Sequence, residues 1–202
     1  MTSVLMEGVG IVPVGRSRVR VPDLEGRAPR LLRLVGRNGI GKSTVVELLA
    51  GAARPPRGRV LVAGRLASDP LARAGRTVTR SEPALLPAVS LERHARLFGR
   101  AAGVGADRAI AALAAAGLEG CLAMRADALS TGQRRSAWVV LTTLREAGVM
   151  LLDEPFLGLD DEAAARLAGS VERWASTRLV VLVDHGERAL AADTGVVRME
   201  PA

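Results

Sequence analysis

The sequence predicts an α/β fold: a mostly parallel sheet, a small N-terminal antiparallel β part and a helical insert. Three observations carry that reading. Uncharged apolar runs of four or five residues, Val149–Leu152 and Leu179–Val183, have the texture of strands buried on both faces. Helix-length segments alternate with such strands, as in parallel sheets joined by crossover helices. From Ser90 to about Met124 the chain is instead rich in Ala, Leu and Arg at helical spacing, which marks an inserted helical part.

The elements follow in order. Val9–Val14 and Val19–Val21 read as short strands, parted by Gly15 and closed by Pro22. Leu31–Val35 is a strand running straight into Gly36. Gly41–Ala50 reads as a helix stopped by Gly51. Arg54–Gly58, with two prolines, is a turn into the strand Arg59–Ala63. In the insert, Gly103, Gly105 and Gly117 divide the chain into short helices. Strand and helix then alternate again: helix Gly132–Ala147, strand Val149–Leu152, helix Asp161–Trp174, strand Leu179–Val183 and strand Val196–Met199. The whole is expected to be one domain over 1–202, with a core of about 1–80 and 132–202 and a helical part of about 82–131.

Composition narrows the function. With 49% apolar and 24% charged residues the chain is not a disordered one. It holds no run of about 18 uncharged apolar residues to form a membrane-spanning helix. Met1–Pro13 lacks a basic start and carries Glu7, unlike a secretory signal. Cys121 is the only cysteine, so no internal disulfide can form and a reducing, cytoplasmic address fits. Cys121 is expected to be a small buried apolar residue, and His94, in the helical insert, to be exposed. The net charge is +7, and Lys42 is the one lysine among 28 basic residues. The arginines are scattered without a basic tail, so stable nucleic-acid binding is not expected.

Gly36-Arg37-Asn38-Gly39-Ile40-Gly41-Lys42-Ser43, followed by Thr44, fits G-x-x-x-x-G-K-[ST] between a strand and a helix. This is the context that a P-loop NTPase core requires. Glycines let the backbone turn its N–H groups inward around a phosphate, and the helix adds its positive N-terminal end. Lys42 reaches the β- and γ-phosphates as a point charge, and Ser43 offers a hydroxyl to Mg²⁺. The strand Val149–Leu152 leads into Asp153 and Glu154, 117 residues beyond Gly36. Asp153 is placed to hold Mg²⁺ through water, and Glu154 to orient or deprotonate the attacking water.

Leu129-Ser130-Thr131-Gly132-Gln133-Arg134-Arg135 resembles the LSGGQ signature of ABC ATPases, and Gln133 stands 20 residues before Asp153, as in that family. Asp153-Glu154-Pro155-Phe156-Leu157-Gly158-Leu159-Asp160 is similar to the family's Walker B and D-loop, and His185 stands at its switch histidine. The resemblance covers nearly the whole chain. It implies a RecA-like core, ATP and Mg²⁺ as ligands, Glu154, His185 and Lys42 as the catalytic set, and Ser130, Thr131, Gly132, Gln133 and Asp160 as contacts to nucleotide. It further implies a head-to-tail homodimer, or pairing with a second ABC cassette, around two ATP. A separate transmembrane permease would dock near Ser81–Ala88 and the helical insert, leaving this subunit cytoplasmic and peripheral on the inner face of the cell membrane. The alternatives are a soluble ABC ATPase acting on nucleic acid or ribosomes, and a weakly catalytic ATP-dependent regulator.

Four departures from the pattern stand out. Thr131 replaces the first glycine of the signature, and Arg37 stands where the P-loop often has proline. In Ser81-Glu82-Pro83-Ala84-Leu85-Leu86-Pro87, Ser81 takes the place of the Q-loop glutamine that touches Mg²⁺ or its water. The four aromatics are Phe98, Trp138, Phe156 and Trp174, so no aromatic precedes the P-loop to stack on adenine. Arg16 or Arg18 is the expected substitute, because a guanidinium plane can lie over a purine. Arg33, inside the strand before the P-loop, calls for a carboxylate partner or a route to the surface.

Overall fold

A computed structural model describes residues 2–184, 190 and 194–201. In chain order the elements are β1 (Ser3–Glu7), β2 (Gly10–Val14), β3 (Ser17–Val21), β4 (Leu24–Arg27), β5 (Arg30–Val35), α1 (Lys42–Leu49), β6 (Arg59–Val62), β7 (Arg65–Leu66), β8 (Arg76–Thr79), α2 (Leu91–Ala102), α3 (Ala106–Ala115), α4 (Thr131–Thr142), β9 (Val149–Asp153), α5 (Asp161–Ala175), β10 (Leu179–Val183) and β11 (Thr194–Arg198). They form two compact units, one of Met1–Val78, Ala147–Glu154 and Val171–Ala202, the other of Thr79–Glu146 and Pro155–Ser170. Among the described residues no helix is long and apolar enough to cross a membrane.

The first unit is built on a five-stranded sheet ordered β11-β5-β10-β9-β8. The pairs β11/β5, β5/β10 and β10/β9 are parallel. Every residue of β9 and β10 is buried, as their apolar runs require. Val183 lies opposite both Leu34 and Asp153, so β5 and β9 end at the same edge of the sheet. That register brings the loop after β5 and the carboxylates after β9 to one place. A second sheet, β4-β1-β6-β7, has β1 antiparallel to both β4 and β6, and β2 and β3 form a separate hairpin. One core joins these sheets through residues such as Val4, Met6, Val60, Leu34, Leu48, Leu49 and Val181.

Arg33 finds its carboxylate. Its guanidinium lies 3.6 Å from Asp184, the residue after β10, with both side chains largely buried. That length is an ion pair beyond hydrogen-bond reach.

In the second unit α2, α3 and α4 pack around Leu91, Ala95, Leu113, Ala137, Trp138 and Leu141. Gly103 ends α2 with φ 74°, a left-handed cap that glycine adopts without a Cβ penalty. Cys121 is buried, as the sequence suggested. His94 is not exposed: only 1% of it is accessible. Its Nδ1–H donates to the Ser90 carbonyl at 2.9 Å, and its Nε2 accepts the Leu86 N–H at 2.9 Å. Both ring nitrogens are therefore satisfied without water, which lets an imidazole sit in a core. The fourth helix also stops at Thr142, short of the expected Ala147. The hydroxyls of Thr142 and Thr143 bond back to carbonyls three and four residues earlier, a pattern that competes with helix continuation.

Candidate nucleotide site

The loop between β5 and α1 holds the residues expected to cradle phosphate. Gly39 and Gly41 have φ of 74° and 104°, values that bar side chains from these two positions. A Cβ on Gly41 would overlap the Val19 side chain, so the β2–β3 hairpin packs directly on this loop. On Gly36 it would press on Ile40 at 3.1 Å and Met199 at 3.3 Å. Arg37, Asn38 and Gly39 are exposed, Ile40 partly so, and Ser43 and Thr44 open α1. With Gly41 as its cap, α1 has no side-chain capping bond, which leaves its first N–H groups for an anion.

Lys42 is 4% exposed, and its ammonium donates to the carbonyls of Gly36 at 2.9 Å and Arg37 at 3.1 Å. Those bonds draw the cation across the mouth of the loop. Burial holds its pKa below the ordinary lysine value, and Glu154 and Asp153 push it back up.

Asp153, the last residue of β9, is 3% exposed. Burial raises its carboxyl above the usual range; a hydrogen bond from Ser43 opposes this, while the charges of Glu154 and Glu47 add to it. One of its oxygens, Oδ1, is buried with no hydrogen-bond partner. A hard divalent cation with oxygen ligands fits such a group: the carboxylate is short of positive charge and the Ser43 hydroxyl is beside it. Glu154 follows with φ 50°, a left-handed conformation that is unusual for a residue with a side chain, and Pro155 after it restricts the backbone further. Its N–H is held by the Val183 carbonyl at 2.9 Å. An enforced outlier at the end of a buried strand is a mark of a functional position.

A pH dependence follows from Asp153. A carboxyl raised in the folded state binds protons on folding, so its cost to stability is absent below about pH 3.9 and grows as pH rises to its folded value. Asp153→Asn removes that cost. We expect the variant, without metal, to melt above the wild type at pH 7 and level with it in acid. Thermal melts in a chelator across pH measure this, and a lower melting temperature at pH 7 would contradict the assignment.

In the second unit Ser130 caps α4. Its Oγ accepts the Gln133 N–H at 3.1 Å, and the Gln133 side chain accepts the Ser130 N–H at 2.9 Å, a full capping box. The first two helical N–H groups, of Thr131 and Gly132, remain at an exposed helix start. A Cβ on Gly132 would come within 2.8 Å of the Gly158 carbonyl, so this glycine is fixed by the loop Pro155–Asp160. The carboxylate of Asp160 accepts the Ala163 N–H at 2.8 Å, capping α5. Ser81 is partly buried, and its carbonyl accepts from the Arg135 guanidinium. His185 lies outside the described residues.

Three contributors were missed from the sequence. Glu47 stands one helical turn after Ser43, and that spacing was the available signal. Val19 and Asp184 reach their partners only through tertiary packing. The β3 alternation also separates the two arginines proposed for adenine. Val19 is buried against Gly41, so its neighbour Arg18 projects to the opposite face, while Arg16 sits in the β2–β3 turn.

Comparison with known proteins agrees with this geometry. A family model described as ABC transporter matches residues 22–157, a span that takes in the P-loop, the Ser130 helix start and the Asp153–Glu154 pair. The cytochrome c biogenesis ATP-binding export protein CcmA of Cupriavidus necator is 37% identical over 172 residues, which cover 82% of this chain and 74% of that one. A solved ATP-binding subunit of an ABC transporter superposes with a TM-score of 0.80 at 24% identity, over 92% of this chain and 80% of that one. A dimeric ATP-binding cassette in a post-hydrolysis state, bound to ADP and phosphate, superposes at 0.79 and 18% identity, over 91% of this chain and 88% of that one. The chain belongs to the ABC transporter family, as an ATP-binding and ATP-hydrolysing subunit.

Proposed function

We propose that two copies of this chain, or one copy and a second cassette, close head to tail around two ATP and so drive a separate membrane subunit from the inner face of the cell membrane. The observation that supports this most is the exposed helix start at Thr131 and Gly132. One chain carries two different phosphate-binding ends, the P-loop in one unit and this one in the other. In the proposed arrangement each triphosphate meets the P-loop of one copy and the Ser130–Gln133 helix start of the next, with Asp160 close to that boundary.

Within a site, Gly36–Thr44 binds the phosphates and Lys42 leaves its two carbonyls for the terminal ones. Ser43 and Asp153 would hold Mg²⁺, a role the family resemblance extends to Ser81, and that ion would supply neutralisation of phosphate charge. Glu154 orients a water, whose oxygen attacks the γ-phosphorus in line as its proton passes to the Glu154 carboxylate and the bond from that phosphorus to the β–γ bridging oxygen breaks, releasing ADP and phosphate. His185 hydrogen-bonds the γ-phosphate. The contact between Ser81–Ala88 and the membrane subunit completes the reading.

Mixing two defective copies tests the head-to-tail arrangement. Lys42→Ala disables the P-loop, and Gly132→Asp fills the cradle and repels phosphate. Neither copy alone should turn over ATP. A mixture should regain turnover, because a mixed dimer contains one intact site made from the two undamaged ends. A mixture as inactive as its components would reject the composite site.

Base selectivity gives a second expectation. Without an aromatic platform, worth about 1–3 kcal/mol per base, binding rests on the triphosphate. GTP should bind within about tenfold of ATP, roughly 1.4 kcal/mol. Dissociation constants for both with Mg²⁺ decide this, and a preference for ATP above about a hundredfold, roughly 2.7 kcal/mol, would reveal adenine recognition elsewhere.

A further inference from the structure

We infer that Arg135 and Trp138 are positioning residues that fasten the segment Thr79–Leu86 to the helix carrying the signature, so that this segment and the Ser130–Gly132 helix start move as one body. The inference rests on the proposed docking of a membrane subunit at Ser81–Ala88, for its function though not for its geometry.

The fastening comes from one face of α4. Arg135, Trp138 and Thr142 are spaced at i, i+3 and i+7, which aligns them along the helix. The Arg135 guanidinium donates to the Ser81 carbonyl. The Trp138 indole N–H donates to the Arg80 carbonyl at 3.0 Å. The Thr142 hydroxyl donates to the Trp138 carbonyl at 2.8 Å and accepts from the Thr79 hydroxyl at 2.7 Å. Three consecutive residues, Thr79, Arg80 and Ser81, are thus held by three side chains of one helix. Further along the segment His94 of α2 accepts the Leu86 N–H. The same α2 is joined to α4 where Phe98 meets the Trp138 ring edge to face, at a centroid distance of 6.0 Å.

Two features make this a mechanical link. First, Arg135, Trp138, Thr79 and His94 are all buried, at 6%, 8%, 0% and 1% exposure, so water does not readily replace a lost bond. Second, three of the four anchor points on the segment are main-chain groups: the carbonyls of Arg80 and Ser81 and the N–H of Leu86. The hold does not depend on the side chain at position 81, and so it operates with the short serine found there. Trp138 lies about 12 Å along the helix axis from Ser130, at roughly 1.5 Å per residue. A helix transmits an axial displacement over that distance without deforming, so a push on the segment is delivered to the cradle.

Trp138→Phe is the test, in the full chain. It deletes the N–H donor and keeps a ring against Phe98. Hydrogen exchange is read without nucleotide on the peptides covering Ser81–Leu86 and Gln133–Ala137, the latter because the Gln133 N–H donates to the Ser130 Oγ and the Arg134 N–H to the Ser130 carbonyl. Both should exchange faster together, by about tenfold, the size of one lost buried hydrogen bond. Arg135→Lys, which keeps the charge but loses the planar fork, should act in the same direction. The ATP dissociation constant should be unchanged and kcat lowered. Leu113→Val, a truncation elsewhere in the same apolar cluster, controls for general loosening and should leave the two peptides uncoupled. Faster exchange at Ser81–Leu86 alone, or the same paired response in Leu113→Val, would overturn the inference. Exchange without nucleotide reports the fastening whether or not two copies close on ATP, and the mixing experiment reports that closure separately.

Discussion

Glu154→Gln is expected to bind ATP and to hydrolyse it about 10²–10⁴-fold more slowly, the usual contribution of a positioned general base. The amide keeps the shape of the side chain and cannot take the water's proton. Because binding and cleavage are then separated, an ATP-dependent dimer should accumulate and be visible by size exclusion. The left-handed backbone at this residue gives a second, independent readout. Holding a non-glycine residue there costs about 1–2 kcal/mol, while glycine loses about 0.5–1 kcal/mol of chain entropy on folding. Glu154→Gly should therefore be equally inactive yet melt at or above Glu154→Gln, which keeps the strain and lacks the same carboxylate charge. Unchanged turnover in the glutamine variant would remove Glu154 from the proposed role.

Lys42→Ala is expected to abolish turnover and to weaken ATP binding by about ten- to a hundredfold, taking roughly 1.5–3 kcal/mol for a hydrogen bond to a charged group. The fold should survive, since the two carbonyls that Lys42 now serves lie on a solvent-facing loop. Lys42→Arg keeps the charge and should rescue little. The guanidinium is a planar, bulkier fork, whereas the lysine ammonium is a compact point charge. Isothermal titration and a phosphate-release assay separate the two losses, and hydrolysis at the wild-type rate would contradict the P-loop assignment.

What the sequence revealed follows the range of the interactions involved. The strands β9 and β10 could be placed because burial on both faces writes an apolar run into the chain itself. The loop Gly36–Ser43 and the Ser130 helix start were legible because each is written in consecutive residues, as glycines with positive φ in one and as a capping box in the other. The strands β1 and β4 were not read, since the apolar run in Ser3–Glu7 shows no alternation and Leu24–Arg27, though it alternates, is only four residues long and contains Gly26; both gain their form by pairing with each other. The strand β8 was missed for a similar reason: its first residue is Arg76, a buried arginine that donates to the carbonyls of Ala50 and Ala67. Charge at Arg33 signalled a missing partner, but Asp184 lies 151 positions away and nothing local names it. His94 was misjudged because polarity alone suggested water, whereas two backbone groups satisfy it inside the core.

The capping box at Ser130 prepares one end of the proposed dimer before the copies meet. The serine hydroxyl oxygen and the glutamine side chain already hold the helix end. That oxygen accepts the Gln133 N–H through a lone pair, so its O–H proton stays available to a phosphate and a cap worth typically about 1 kcal/mol need not be broken. The helix start therefore meets its ligand already ordered, and the proposed closing gives up little side-chain freedom there.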